Sequence, residues 1–206
     1  MEEIKEHLRD ISEIRTMMER NSKFLSLSGL SGVSAGICGL LGAIAGYLFL
    51  ETHVFRDPGN GYVSEGEFLE FFTITAVLVL LGAISSSIFF SLRMARKRSL
   101  PMWNKTAQNT LISLIIPLAA GGVFCMIMAW HGHYVFIPAL TLIFYGMALL
   151  NASKNTFKEI RYLGYSEIVL GLLCAAFPLQ GLLFWGLGFG VIHITYGAVM
   201  YFKYER

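Results

Sequence analysis

Residues 24–50 read FLSLSGLSGVSAGICGLLGAIAGYLFL, without a single acidic, basic or histidine side chain. A helix that crosses a bilayer needs about 20 consecutive, mostly apolar residues. The run is long enough for such a crossing. It therefore predicts a transmembrane helix close to the start of the chain.

The composition of the whole chain also indicates a membrane protein. Of its 206 residues, 55% are hydrophobic and only 15% are charged, whereas a soluble domain carries about 25% charged residues. The net charge of +2 is small, and its basic residues cluster in loops, which argues against a nucleic-acid partner. The sequence carries no zinc, P-loop or dinucleotide fingerprint, so it predicts neither a metal site nor a cofactor.

Six segments are apolar over the length of a membrane span. They cover residues 24–50, 71–92, 110–130, 134–150, 160–178 and 182–202. Together they predict an all-α fold, a polytopic bundle of six transmembrane helices in the lipid bilayer over residues 24–206. Residues 1–23 precede the bundle as a separate cytoplasmic helix.

The basic residues predict the orientation of the bundle, because lysine and arginine accumulate in cytoplasmic loops. If the N-terminus is cytoplasmic, Arg56 is the only one of the 16 lysines and arginines on the outer side. The outer loop over residues 51–70 is acidic instead. We therefore expect both termini to be cytoplasmic.

The N-terminal segment, residues 1–23, has the pattern of an amphipathic helix. Its apolar stripe consists of Ile4, Leu8, Ile11, Ile14 and Met18, at the three- and four-residue spacing of one helical face. The polar face mixes acidic and basic residues, whereas a helix lying on lipid is enriched in lysine and arginine. This favours packing against another helix, in the same bundle, in a second copy or in a protein partner, over binding to lipid.

Small residues follow one face of several predicted helices. They are Gly29, Gly32, Gly36, Gly39 and Gly46 in the first span, Gly171 in the fifth, and Gly186, Gly190 and Gly197 in the sixth. Such faces let two backbones approach closely, so we interpret these glycines as helix-packing positions. The alternative for the first span is a weak helix start that unwinds and offers its carbonyls to an ion or a substrate.

Two ionisable residues, Glu167 and His193, lie on the small-residue faces of the fifth and sixth spans. Counted from the turn at Gln180, they have the same depth, so a contact between them is expected, directly or through a water, Tyr165 or Tyr196. An ionisable group inside a bilayer is costly and is a candidate functional site. Two interpretations stay open, a proton or cation site and a polar contact that fixes helix packing. A third places Glu167 within reach of water at the inner interface.

The GLSG stretch at Gly29–Gly32 is similar to the G-x-S-G pattern around the nucleophile of rhomboid intramembrane proteases. That resemblance implies Ser31 as nucleophile, with His193 in the last span as its base. However, the rhomboid serine lies in the fourth span, and the rhomboid first-loop Trp-Arg motif has no counterpart here. A serine protease is therefore a remote alternative.

Three longer stretches resemble a family of small bacterial inner-membrane proteins with six predicted spans and no established activity. They are EIRTMMERNSKFLSLSGLSG, NASKNTFKEIRYLGYSEIVLG and GFGVIHITYGAVMYFKYER, at the start and in the last third of the chain. The resemblance implies the same topology and a bacterial inner membrane. It implies no catalytic or binding residue.

The expected function is non-enzymatic. The sequence favours an assembly, sensor or accessory subunit that acts through helix–helix contacts, with copies of itself or a protein partner bound through residues 1–23. The alternative is a small proton- or cation-linked transporter or channel that uses Glu167 and His193.

Overall fold

The computed structural model describes residues 28–55, 64–98 and 103–206. The N-terminal helix expected over residues 1–23 lies outside these ranges. Throughout them the fold is helical and contains no strand. The seven α-helices are α1 (Gly29–Leu50), α2 (Glu65–Lys97), α3 (Lys105–Trp130), α4 (Ile137–Ala152), α5 (Lys158–Ala176), α6 (Gly181–Gly186) and α7 (His193–Tyr204).

Two π-helical segments join or extend these helices. Glu51–Phe55 continues α1, and Leu187–Ile192 connects α6 to α7. With the preceding 3₁₀ turn at Pro178–Gln180, α6, this π-helical segment and α7 form one continuous helical stretch, Pro178–Tyr204. We call that stretch the C-terminal helix.

Short polar side chains set where the long helices begin. Ser64 forms a reciprocal capping box with Glu67 at the start of α2, and Asn104 accepts a hydrogen bond from the Ala107 amide at the start of α3. Both pairings satisfy amides that the first helical turn leaves without partners. Gly132, with φ at +77°, forms the tight turn after α3, a backbone conformation that glycine adopts without strain.

Five helical stretches are long and apolar enough to cross a membrane: Gly29–His53, Gly66–Lys97, Lys105–Trp130, Tyr134–Asn155 and Pro178–Tyr204. They overlap five of the six predicted spans. The remaining span, 160–178, coincides with α5, a helix of 19 residues. Charged residues occupy four of its positions, Lys158, Glu159, Arg161 and Glu167, and it is not among these five stretches.

The helices pack in a row. Helix α2 packs mainly on α1, α1 packs on the C-terminal helix, the C-terminal helix contacts α4 and α5, and α3 packs on α4. The most extensive contact between two helices is that of α4 with α5. The apolar interior therefore lies between α4, α5 and the C-terminal helix, where Leu142 and Cys174 are fully buried.

Glycines allow the closest of these approaches. A Cβ on Gly197 would lie 2.5 Å from the Val33 amide nitrogen and 2.7 Å from the Gly29 carbonyl oxygen, both backbone atoms of α1. A Cβ on Gly146 of α4 would lie 2.7 Å from the Gly164 carbonyl oxygen of α5. At these points no side chain larger than hydrogen fits between the helices.

The nine glycines predicted to pack helices all face a neighbouring helix. On each of them a Cβ would meet an atom of another helix within 3.2 Å; they are Gly29, Gly32, Gly36, Gly39, Gly46, Gly171, Gly186, Gly190 and Gly197. The five glycines of α1 face the C-terminal helix, with Phe72 of α2 also against Gly46. These small-residue faces are thus used inside the chain.

Candidate functional site

Glu167 lies on α5 and is completely buried, with 0% of its surface exposed. Its neighbours on the same face, Gly164 and Gly171, bring α4 close to α5. Opposite them, the C-terminal helix presents Gly188, where an added Cβ would lie 2.6 Å from Glu167 Oε2. The space for the carboxyl group therefore exists because residue 188 has no side chain.

His193 begins α7 directly after the π-helical segment Leu187–Ile192. Its Nδ1 lies 2.9 Å from the Gly188 carbonyl oxygen and 3.2 Å from Glu167 Oε1. A carbonyl oxygen only accepts hydrogen bonds, so Nδ1 carries a proton and donates it to Gly188. π-Helical turns are rare and frequently occur at functional sites, and here one supplies the acceptor for the histidine.

Tyr145 of α4 completes a chain of three polar side chains. Its hydroxyl lies 2.9 Å from His193 Nε2. The rings of Phe189 and His193 stack with centroids 5.8 Å apart, and Tyr145 packs against both of these rings. The imidazole is thus held at both nitrogens and on one face, which fixes its orientation across α4, α5 and the C-terminal helix.

The carboxyl group of Glu167 is the weakly satisfied member of the chain. Although Oε1 is within ion-pair distance of His193 Nδ1, neither carboxyl oxygen makes a hydrogen bond within the described residues. The proton of Nδ1 is directed at Gly188, so Glu167 lies beside the imidazole without an aligned hydrogen bond from it. Burying an unpaired carboxylate costs several kcal/mol. Pairing offsets this cost when the imidazole carries both of its protons.

The structure brings Glu167 and His193 together, whereas the two tyrosines expected beside them lie elsewhere. Tyr165 is 52% exposed on the outer surface of α5. Tyr196 packs against the apolar cluster of Leu149, Phe157 and Met200. Neither stands between the two ionisable groups.

Tyr145, the direct partner of His193, was missed because it belongs to a different hairpin. The spacing of residues within the fifth and sixth spans contains no information about α4. One signal was available, since Tyr145 precedes Gly146, and that glycine contacts α5. A tyrosine next to a glycine of a packing face is a candidate partner for a buried ionisable group.

Two cavities on the surface of the described residues do not reach the site. One is a shallow groove along Ile194, Ala198 and Phe202. The other lies where α1 begins and α2 ends. Neither is lined by Glu167, His193 or Tyr145. The arrangement is chemically a buried acid–base pair with a tyrosine hydroxyl on the far side of the imidazole.

Ser31 does not interact with this group of three polar side chains. Its hydroxyl donates to the Ser28 carbonyl within α1, and both ring nitrogens of His193 have other partners. The serine–histidine hydrogen bond that a serine protease requires is therefore not made.

We call the end of the bundle where α1 begins and α7 ends the basic end. A second polar cluster joins helices there. The Glu159 carboxylate of α5 accepts hydrogen bonds from Lys203 Nζ and from the Tyr204 hydroxyl of α7. Burial works to raise the pKa of Glu159, but these hydrogen bonds and the charge of Lys203 outweigh it and hold the pKa below its ordinary value of 4.5. The cluster is therefore an ion pair near neutral pH.

The end of the chain also contacts α1 and α2 at the basic end. Glu205 accepts hydrogen bonds from the Gly29 amide and the Ser28 hydroxyl, which caps the start of α1. Arg98, which ends α2, donates to the Tyr204 carbonyl. A carboxylate at a helix N-terminus is stabilised by the helix dipole.

Comparison of the chain with protein-family models, with curated proteins and with solved structures gave no match. Function is therefore argued from the geometry alone.

Proposed function

We propose that this chain is a six-span protein of the bacterial inner membrane that acts through helix–helix contacts, as an assembly, sensor or accessory subunit. Both termini are cytoplasmic in this proposal. The bilayer surrounds the bundle, and copies of the chain associate within it.

The contact between Ser28 and Glu205 supports six crossings. The Ser28 hydroxyl lies 3.1 Å from Glu205 Oε2, so the described bundle begins and ends on the same side. A chain that returns to its starting side crosses the membrane an even number of times. With five apolar stretches, this parity supports one more crossing, for which α5 is the remaining long helix.

The basic residues support the orientation. Seven basic residues lie on the side where α1 begins. They are Arg93, Arg96, Lys97 and Arg98 at the end of α2, Lys105 at the start of α3, and Lys158 and Arg161 at the start of α5. Lysine and arginine concentrate on the cytoplasmic side of membrane proteins. This distribution supports a cytoplasmic basic end.

The exposure of α2 is the observation that carries the assembly proposal. This helix packs mainly on α1, and no residue in its most apolar stretch is buried. Its outward residues include Leu78, Leu81 and Ile88. The glycine faces of α1 and the C-terminal helix are used inside the chain, and α2 is the least buried of the five apolar stretches, so we assign the contact with a second copy to α2.

Cross-linking between copies tests this proposal. In a background without Cys38, Cys125 and Cys174, Leu81→Cys is expected to form a disulfide-linked dimer in native membranes. Val169→Cys on α5, similarly exposed at 56% against 57% for Leu81, is the matched control and is expected to stay monomeric. Equal cross-linking at the two positions, or none at either, contradicts the proposal. If deletion of residues 1–20 leaves the oligomer size unchanged, the N-terminal segment does not contribute to the contact between copies.

Proton- or cation-linked transport is the second candidate. The chain from Glu167 through His193 to Tyr145 favours it, because three protonatable groups meet across three helices. A proton path also needs an opening to water, and the π-helical segment Leu187–Ile192 is the irregular backbone beside the site. In proteoliposomes with a pH gradient, transport predicts a proton flux that Glu167→Gln abolishes. Absence of flux in the parent protein excludes this candidate.

A further inference from the structure

A cavity of about 120 Å³ opens at the basic end, between the start of α1, the end of α2 and the end of α7. Its lining residues are Ser28, Leu30, Phe90, Arg93, Met94, Lys97, Tyr201 and Glu205. A single water needs about 10–15 Å³ of such space. The cavity therefore has room for a group considerably larger than one water.

Two cations line this cavity without a carboxylate partner in the described residues. Arg93 and Lys97 are four residues apart on α2, so they share one face, and both are exposed. Glu205, the one acidic residue among the lining residues, accepts instead from the Gly29 amide and the Ser28 hydroxyl. Among the described lining residues, two positive charges therefore face one negative charge, and the cavity keeps a net positive charge.

Three of the other lining residues are apolar. Leu30, Phe90 and Met94 lie beside the cations, and Met94 is buried in the bundle. The cavity joins positive charge to an apolar wall at the end of membrane-length helices. That combination matches a ligand whose anionic group is attached to a hydrocarbon chain, since basic pockets between membrane helices bind lipid headgroups.

We propose that this cavity binds a phosphate group, with Arg93 and Lys97 as its charge partners and an anionic phospholipid as the molecule that bears it. Arginine contributes a planar fork of donors that matches phosphate oxygens, and lysine contributes a point charge. The acyl chain lies along Leu30 and Phe90. This inference is independent of self-assembly through α2.

Lipid binding to the purified full-length chain tests the proposal. Native mass spectrometry of the delipidated protein is carried out with phosphatidylglycerol and with phosphatidylcholine of the same acyl chains. Phosphatidylglycerol is expected to bind more tightly. Arg93→Gln/Lys97→Gln is expected to weaken that binding about ten-fold, the effect of losing one hydrogen bond to a charged group.

The same region of the chain offers a matched control. Arg96→Gln/Lys105→Gln also removes one arginine and one lysine charge near the basic end, but from exposed residues that do not line the cavity. This pair is expected to change binding by less than about two-fold, because neither side chain lines the cavity and exposed charges without a direct contact contribute little. Equal loss in the two double variants, or equal binding of the two lipids, overturns the proposal.

Inorganic phosphate distinguishes the source of the group. If millimolar phosphate competes with the lipid in the parent protein but not in Arg93→Gln/Lys97→Gln, the cavity recognises free phosphate. That result overturns the lipid assignment. Lipid binding without such competition supports it. If the double variant does not fold, the single variants Lys97→Gln and Arg96→Gln replace the two pairs, with the same criteria.

Discussion

Glu167 Oε1 and His193 Nδ1 lie 3.2 Å apart on two different helices, both buried, with the histidine bonded to Gly188 on one side and Tyr145 on the other. This relationship links α4, α5 and the C-terminal helix at one point. An acid and a base in contact inside an apolar bundle stabilise it only as a pair, because either one alone would be an isolated charge or an unsatisfied polar group.

Replacing His193 alone is expected to be strongly destabilising. His193→Phe removes the one basic side chain that faces Glu167 in the described residues and leaves the buried carboxyl group without a polar neighbour, so the free energy of unfolding should fall by about 3–5 kcal/mol. Glu167→Gln keeps the side-chain volume and removes the charge, and should cost less than about 1.5 kcal/mol. Reversible unfolding in mixed micelles, followed by circular dichroism, measures both.

The double variant Glu167→Gln/His193→Phe should cost less than the sum of the two single changes. No charge is left in the site, so the penalty that dominates His193→Phe disappears. Strict additivity of the three measurements would show that the two side chains do not interact.

Tyr145→Phe isolates the third member of the chain. The change removes the hydroxyl that lies 2.9 Å from His193 Nε2 and leaves the ring packing in place. We expect a loss of about 0.5–1.5 kcal/mol in the free energy of unfolding. Tyr165→Phe is the control, because Tyr165 is exposed on the same bundle and should change stability by less than about 0.5 kcal/mol.

The ion pair at the basic end predicts a dependence of stability on pH. Since the folded pKa of Glu159 lies below its ordinary value of 4.5, its contribution is fully present above that value and is lost as the pH falls through the lowered pKa. Glu159→Gln should therefore be less stable than the parent protein at neutral pH, and the difference should shrink in acid. Unfolding measured from pH 7 down to about pH 3 checks this, and a difference that grows in acid would have the wrong sign.

Much of the architecture follows from the one-dimensional pattern. Apolar length alone predicts five of the membrane-length helices, and the depth of Glu167 and His193 on a tight hairpin predicts their contact. Both inferences use only the geometry of a single helix or of two helices joined by a turn. Neither depends on knowing how the hairpins pack against one another.

The parts that were missed require packing between distant segments. Tyr145 reaches His193 from another hairpin, and Glu205 caps α1 from the far end of the chain. The π-helical segment Leu187–Ile192 also has no periodic signal, because its residues are apolar or glycine in any helical register.

Two glycines separate the effect of close packing from that of helix propensity. Gly197→Ala places a Cβ 2.5 Å from the Val33 nitrogen and 2.7 Å from the Gly29 carbonyl oxygen. Both are backbone atoms, so α1 and the C-terminal helix must move apart, and the expected loss is about 1–3 kcal/mol of unfolding free energy. Gly122→Ala on α3 meets nothing within 4 Å and should be neutral or gain up to about 1 kcal/mol, because alanine favours a helix over glycine.

The same pair of variants tests where assembly occurs. If the glycine face of the C-terminal helix is used only inside the chain, Gly197→Ala lowers stability but leaves the Leu81→Cys cross-link between copies unchanged wherever the protein remains folded. Loss of that cross-link in folded Gly197→Ala protein would mean that the contact between copies runs through the glycine face. Equal stabilities of Gly197→Ala and Gly122→Ala would mean that α1 and the C-terminal helix do not pack at backbone distance.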